Sequence, residues 1–488
     1  MRLEKLAREI NAKELIGGDA EIEGISADSK HVMRGDLFIC FRGEENDGHD
    51  FATEAVACGA VALVTERMLP VDVPQIIVES GRKAMTRLAA AFYGHPEKEL
   101  KMIAVTGTNG KTTTAHMLAS IFKAAGISCG NIGTLGVFYE NKEIAPELTT
   151  PDPVYLYRVL ADMVRCGVRW VVMEVSAHAL YYGKVDGIRF EYCIFTNLTE
   201  DHLDFFETME AYGAAKRKLF AEERCKCAVL NFDDEEGRSI AADVAHYVSY
   251  GLENPSDVFA VDIMESSSGC HYIINLFDDL YEIRLHMTGK HNVYNSMAAA
   301  ECAKLIGIPV SVIAEGLAAL EKVSGRLELA GRYRGADIFV DFAHTPDGLE
   351  KSLCALRPLC KRKLICLFGC GGNREIQKRP IMGEIAAAHA DFTVITSDNP
   401  RYEDPFDIIT QIERGVRKIT DDYIIVVDRE SAIEYAIDKL RNGDVLLIAG
   451  KGGENYQEIM GVKHIYSDFS AVRGILKFKT QTRGGDDA

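Results

Sequence analysis

The sequence predicts an α/β protein of three domains, with a central P-loop ATPase-like parallel sheet and a C-terminal Rossmann-like sheet. Three observations carry that expectation. A chain of 488 residues is too long for a single hydrophobic core. Short apolar runs alternate with helix-periodic segments in two separate stretches, before and after residue 327. Finally, Thr106, Gly107, Thr108, Asn109, Gly110, Lys111, Thr112, Thr113 and Thr114 follow the apolar run 102–105 and lead into an apolar-periodic segment. Strand, glycine loop, Lys-Thr and helix is the order a phosphate cradle needs.

Residues 1–97 hold apolar runs at 37–40, 60–64 and 75–78, then a helix over about 82–92 that Gly94, His95 and Pro96 punctuate. They read as a small α/β domain. Residues 98–327 alternate strand and helix around the glycine loop, with strands at 171–173, 193–196 and 227–230 and helices near 209–221 and 292–306. Nearly continuous apolar strands of this kind suit a mostly parallel sheet covered on both faces. Over 328–488 the alternation restarts, with strands at 338–340, 364–368, 392–395, 424–427 and 445–448. The polar loops 341–348, 369–379, 397–405 and 449–457 all follow strands. They are expected on one face, where open α/β sheets bind ligands. The tail 480–488 is polar, and fraying is expected there.

Composition narrows the function classes. At 47% hydrophobic and 26% charged the chain reads as a soluble globular protein. A formal net charge of -18 argues against a nucleic-acid partner, while leaving room for a local basic pocket. No segment has the length and apolarity of a membrane span, and the N-terminus lacks a signal peptide's apolar core. A cytoplasmic monomer is expected. The 13 cysteines form no C-x-x-C pair, which favours reduced packing thiols over a metal site.

The glycine loop can receive phosphate oxygens on its backbone N–H groups and at the helix N-terminus. Lys111 can reach the terminal phosphates, and the Thr112 hydroxyl can hold magnesium. Val105 stands at the first glycine position of the common motif. Glu174 ends an apolar strand, where a second magnesium ligand belongs, although a solvated edge acid is the plainer alternative. His202 follows another strand at a similar level, and imidazole is not a usual magnesium ligand. Lys216, on a helix behind that loop, reads by itself as a surface lysine.

Further motifs occur in order along the chain: 149–152, 173–176, 201–204, Lys216, Asn292 with Asn295, Gly325 with Arg326, 341–347, 371–383, 398–401 and 450–452. Together with the glycine loop, this ordered set resembles the Mur ligases, ATP-dependent amide-forming enzymes of peptidoglycan precursor synthesis. The likeness covers nearly the whole length. It is greatest to the branch that adds the third amino acid of the stem. Segments 149–152, 174–178 and 398–401 look unlike folylpolyglutamate synthetase, which shares the general architecture.

The resemblance implies ATP held by Gly107, Thr108, Asn109, Gly110, Lys111, Thr112 and Thr113. Asn292 and Asn295 would lie on the adenine side, although Asn295 is otherwise an ordinary cap or packing residue. Arg326 and Asp341 would lie toward the γ-phosphate and ribose, and His344 toward the phosphates. Mg²⁺ is implied on Thr112, Glu174, His202 and Lys216, the last carbamylated, with Lys111, Lys216, Glu174, His202 and Arg326 as the catalytic set. The implied substrate residues are Ser29, Thr149, Thr150, Ser176 and Lys184, with Arg374, Asn399, Arg401, Gly450 and Glu454 in the third domain. The implied partners are a UDP-muramoyl dipeptide and meso-diaminopimelate. Arg401 would clamp the distal carboxylate and Glu454 the distal ammonium. The implied chemistry activates the dipeptide carboxylate as an acyl phosphate, which the amine then displaces.

Lys30, Tyr182, Lys184, Phe206, Asn373, Tyr402 and Gly453 depart from the residues usual in that branch. Two alternatives therefore stay open: a paralogue with a different amine or carboxylate, and a nucleotide-binding scaffold.

Overall fold

The computed structural model describes residues 1–43, 46–146, 148–266 and 268–483. Three large sheets and a two-stranded one, Tyr456–Ile459 with Val462–Ile465, organise them, and the α/β class expected from the sequence is what they form. The first sheet has five strands. Gly24–Ser26, Asp36–Ile39, Ala62–Thr65 and Gln75–Ile77 pair in parallel, and Glu14–Ile16 closes the edge antiparallel. The helix Gly81–Phe92 covers it, capped by the Ser80 hydroxyl, which accepts from the Lys83 N–H. This helix also packs on Pro153–Arg165 of the next unit.

The second sheet has eleven strands. At its centre Lys101–Thr106 lies between Trp170–Glu174 and Phe190–Phe195, all parallel. Two helices, Lys111–Ala124 and Lys290–Leu305, pack together over one face. Met117, Leu118, Ile121 and Phe122 from the first meet Val293, Met297 and Ala300 from the second in one core. Antiparallel additions extend both ends: Gly136–Tyr139 with Lys142–Ile144, and Gly269–Leu276 with Asp279–Leu285. These additions go beyond the mostly parallel sheet read from the sequence.

The third sheet has six strands, in the order Glu328–Tyr333, Ala336–Asp341, Val445–Ala449, Leu364–Phe368, Phe392–Ile395 and Tyr423–Ile425. Only the first is antiparallel. Its buried clasp is Arg429, whose guanidinium donates two 2.8 Å bonds to Asp468 and one to the Ala449 carbonyl. Asp468 opens the last helix, Asp468–Arg483. That helix corrects the expected fraying from residue 480, because apolar Val472 and Ile475 anchor it to the sheet. Residues 484–488 of the expected tail lie outside the described residues.

Candidate active site

The carboxyl ends of the three central strands meet where the glycine loop begins. Gly107 has a φ of 143°, and a Cβ there would collide with the Thr196 hydroxyl, so the loop can cross the sheet only as glycine. The Thr108 N–H donates to the Asn197 carbonyl at 2.8 Å, and the Asn109 N–H to Asn197 Oδ1 at 2.9 Å. The helix begins at Lys111, straight after Gly110, whose φ is 87°. Its first N–H groups are therefore aimed at the loop. Lys111 Nζ folds back onto the carbonyls of Gly107 and Thr108, both at 2.8 Å.

Thr112 lies at the junction of two sheets. Its hydroxyl donates to Glu174 Oε2 at 2.9 Å and accepts from Arg326 Nη2 at 2.9 Å. Glu174 is buried rather than a solvated edge acid, and it also accepts from the Thr134 N–H at 2.9 Å and hydroxyl at 3.1 Å. Thr134 was not singled out by sequence reasoning. The one signal was Gly133 before it, where a Cβ would strike the Glu174 carboxylate. Arg326 stacks over the Phe342 ring at 4.6 Å. Burial lowers its pKa, while Glu174 and Asp341 oppose that shift.

Lys216 is 1% exposed, which corrects its plain reading as a surface lysine. Small residues before it on the helix Met209–Arg217 let the helix approach the glycine loop. Its Nζ donates to the Gly107 carbonyl at 2.9 Å and lies 4.3 Å from the centre of the Tyr212 ring. Burial, and then the nearby Lys111 charge, push its pKa well below the usual lysine value. His202 sits in a left-handed conformation with φ 59°, 3.2 Å from Asp201 and edge-on to His178. Burial pushes its pKa down to about 3, so the imidazole is neutral.

A cavity of about 580 Å³ opens between the second and third sheets. It gathers Asn109, Gly110, Thr113, Asn292, Asn295, Arg326, Asp341 and His344 from the sequence candidates. It adds Tyr250, Tyr294 and Asp233, which sequence reasoning missed; Tyr294 donates to Asp233 at 2.7 Å. Asp341 is already engaged, accepting from the Leu327 and Ala343 N–H groups and the Ser352 hydroxyl. The two units are also tied by Asn109, whose side-chain amide donates to Asp347 at 2.7 Å.

The remaining candidates form two outlying groups. Thr150 accepts from the Ser176 N–H at 3.0 Å and donates to the Glu174 carbonyl at 2.9 Å, while the Thr149 hydroxyl lies 3.1 Å from that of Thr134. Lys184 pairs with Asp152 at 2.7 Å. The Arg82 guanidinium lies 4.4 Å from the centre of the Tyr182 ring and 4.8 Å from that of Phe41. Ser29 is half-buried on the short turn Ser29–His31 of the first unit. In the third unit Asn399 donates to Glu454 at 2.9 Å, and Lys451 Nζ reaches both at 2.9 Å. Arg401 donates to Glu458 at 3.1 Å and to the Gly372 carbonyl at 2.6 Å. A Cβ on Gly371 would lie 3.1 Å from Arg401 Nη1 and 3.8 Å from Arg374 Cγ, so glycine keeps space between the two arginines. Gly450, with φ 113°, brings its backbone against the Asp398 carboxylate.

A phosphate loop whose first helical turn is bridged by an arginine from the segment leading into the third sheet is the site of a nucleotide-dependent enzyme. The chain matches the Mur ligase middle domain over residues 105–303. It matches the Mur ligase glutamate ligase domain over 325–452 and the Mur ligase family catalytic domain over 21–93. It is 42% identical over 469 residues to the UDP-N-acetylmuramoyl-L-alanyl-D-glutamate--2,6-diaminopimelate ligase of Geobacillus thermodenitrificans, covering 94% of this chain and 96% of that one. It is 41% identical over 476 residues to ligase 1 of the same name from Clostridium acetobutylicum, covering 96% and 97%. A solved structure of a ligase of that name superposes with a TM-score of 0.66 at 31% identity, covering 94% and 95%. The fold is also that of MurF ligase from Thermotoga maritima in complex with ADP, with a TM-score of 0.65, 21% identity and coverage of 94% and 98%. The chain belongs to the Mur ligase family and is an ATP-dependent ligase.

Proposed function

We propose that this enzyme joins meso-diaminopimelate to UDP-N-acetylmuramoyl-L-Ala-D-Glu in peptidoglycan precursor synthesis. The observation that carries the reading is the Thr112 hydroxyl held between Glu174 and Arg326, since it links a phosphate loop to a cation at the border with the third unit. The names of relatives more than 40% identical over most of the chain supply the substrate pair. In this reading residues 1–97 hold the UDP end, 98–327 hold ATP, and 328–488 hold the amino acid. The enzyme is cytoplasmic and works as a monomer.

The chain's own groups divide the work. The glycine-loop N–H groups and Lys111 bind the phosphates, and Arg326 meets the charge that gathers as the γ-phosphoryl group moves to the dipeptide carboxylate. The amine then displaces phosphate from the resulting acyl phosphate. Contact between the second and third units through Asn109 and Asp347 helps keep water from that intermediate.

The residues present fit magnesium. Thr112 and Glu174 offer a hydroxyl and a carboxylate at the start of a phosphate-binding helix, and His202 is neutral, as an imidazole ligand must be. Magnesium, when bound, neutralises phosphate charge. Lys216 is buried and makes no close ion pair among the described residues, its amine donating to the Gly107 carbonyl, so it is suited to a carbamate that would add an anionic oxygen ligand. In the amino-acid pocket, Arg374 and Arg401 suit a distal carboxylate, with Glu454 suited to the distal ammonium.

The test is product formation. The purified enzyme, given ATP, magnesium and UDP-N-acetylmuramoyl-L-Ala-D-Glu, is expected to yield the mass of the diaminopimelate adduct in preference to a lysine adduct. Turnover with lysine and not with diaminopimelate would overturn the substrate assignment.

A further inference from the structure

Two carboxylates of the central unit stand at opposite extremes. Glu301, on the buried side of the helix Lys290–Leu305, has both oxygens buried without a hydrogen-bond partner among the described residues. Asp233 lines the cavity between the second and third sheets and gathers five donors. Its oxygens accept from the Leu252 N–H at 2.5 Å, the Glu253 N–H at 3.1 Å and the Asn254 N–H at 2.7 Å. They also accept from the Asn254 side-chain amide at 3.0 Å and the Tyr294 hydroxyl at 2.7 Å. An ionised carboxylate offers about four lone-pair sites, so these donors saturate it. Asp341, which lines the same cavity, accepts from three donors and keeps room for another.

The place of Asp233 in the sheet gives that saturation a use. The strands Lys101–Thr106, Phe190–Phe195, Cys225–Asn231 and Tyr247–Gly251 lie side by side and parallel. The glycine loop leaves the first, Asp233 follows the third, and the turn 252–254 follows the fourth. Three strand spacings put that turn about 14 Å from the glycine loop along the sheet's carboxyl edge. Asn109 and Gly110 line the cavity from the loop, and Glu253 lines it from the turn. A nucleotide with its phosphates on the loop therefore extends its base and ribose toward Asp233.

The turn and the helix Lys290–Leu305 meet at that far end. Glu253 and Lys290 pair at 3.1 Å, but both are more than half exposed, and such a pair contributes little. Hydrogen bonds to a carboxylate are the stronger tie. Through them Asp233 holds the backbone of the turn on one side and Tyr294 of the helix on the other. Tyr294 brings an aromatic side chain to the cavity lining, the kind of surface a nucleoside packs on.

We propose that Asp233 is a positioning residue for the nucleoside of ATP. It holds Tyr294 and the turn 252–254 together as one wall of the cavity's far end, and it does not itself bind the nucleotide. The inference rests on the reading that the central unit holds ATP in this cavity, and adds what shapes its nucleoside end.

The experiment measures binding. ADP and pyrophosphate are titrated calorimetrically into the enzyme in magnesium buffer. In Asp233→Asn the Kd for ADP should rise by about tenfold or more, the scale of one charge-assisted hydrogen bond, while that for pyrophosphate stays within about twofold. Tyr294→Phe keeps the ring and removes one of the five donors, and should weaken ADP in the same selective way; it decides the matter alone if Asp233→Asn does not fold. Unchanged ADP affinity in Tyr294→Phe, or equal losses of ADP and pyrophosphate, would overturn the proposal. The factor for Asp233→Asn should persist with 2′,3′-dideoxy-ADP. A factor that vanishes without the ribose hydroxyls would make Asp233 a direct ligand and overturn the positioning role. Undiminished ADP binding in Lys111→Ala would instead refute the underlying reading that the nucleotide sits on the glycine loop.

Discussion

Arg326→Lys is the substitution in which geometry and magnitude can be worked most fully. The residue follows Gly325, whose φ of 64° lets the chain turn against the backbone of Gly452 and Gly453. That turn aims the guanidinium across the seam at Thr112, with Phe342 beneath it. Lysine keeps the charge but loses the planar fork and the ring stacking. A charge-assisted hydrogen bond contributes about 1.5–3 kcal/mol. Stacking on an aromatic ring adds about 0.5–2 kcal/mol. Together they come to about 2–5 kcal/mol, or a loss of roughly 30- to 5000-fold in rate if the interaction is made in the transition state. The assay is steady-state phosphate release with ATP, UDP-muramoyl dipeptide and diaminopimelate. kcat should carry the loss while the KM for ATP changes by only about threefold. A large rise in KM at unchanged kcat would mean that Arg326 binds ATP without stabilising its transfer, and would refute the reasoning.

Lys216→Ala should remove most ligase turnover, and added bicarbonate should not restore it; wild-type-like phosphate release by the purified variant would sink the carbamate role. Glu301→Met should raise stability by about 1–3 kcal/mol, the cost of an unsatisfied buried polar group. Burial raises the Glu301 pKa well above its usual value, so its penalty grows as pH rises above the unfolded value near 4.5. The gain in Tm should therefore be larger at neutral pH than in acid, and a lower Tm than wild type would contradict it. Burial holds His116, His291 and His344 down to about 4 and His202 down to about 3, from 6.5. Folded-state pKa values below the unfolded one mean stability present above about pH 6.5 and lost as pH falls toward 4. A Tm that is flat across that window would contradict this neutral, buried state.

Much of the architecture was legible because period and punctuation are local. The apolar runs at 364–368 and 392–395 became Leu364–Phe368 and Phe392–Ile395, and the glycine loop opened a helix where its chemistry required one. The segment 258–285 was not read as strands. In Asp279–Leu285, at the sheet edge, exposed Leu280 and Tyr281 sit beside charged residues and blur the two-residue alternation. Site residues were legible where a motif marked them. Thr134 and Tyr294 were not, because their roles come from neighbours far away in the chain. The same holds for Lys216, since only the packing of the helix Met209–Arg217 against the glycine loop buries its amine.

The central claim is that a carboxylate is activated by phosphoryl transfer at the Thr112 junction before the amine arrives. Oxygen-isotope transfer tests it directly. UDP-muramoyl dipeptide labelled with oxygen-18 in its terminal carboxylate is turned over with ATP and diaminopimelate, and the released phosphate is analysed by mass. An acyl phosphate intermediate delivers one labelled oxygen to each phosphate. Amide formation accompanied by unlabelled phosphate would contradict the account.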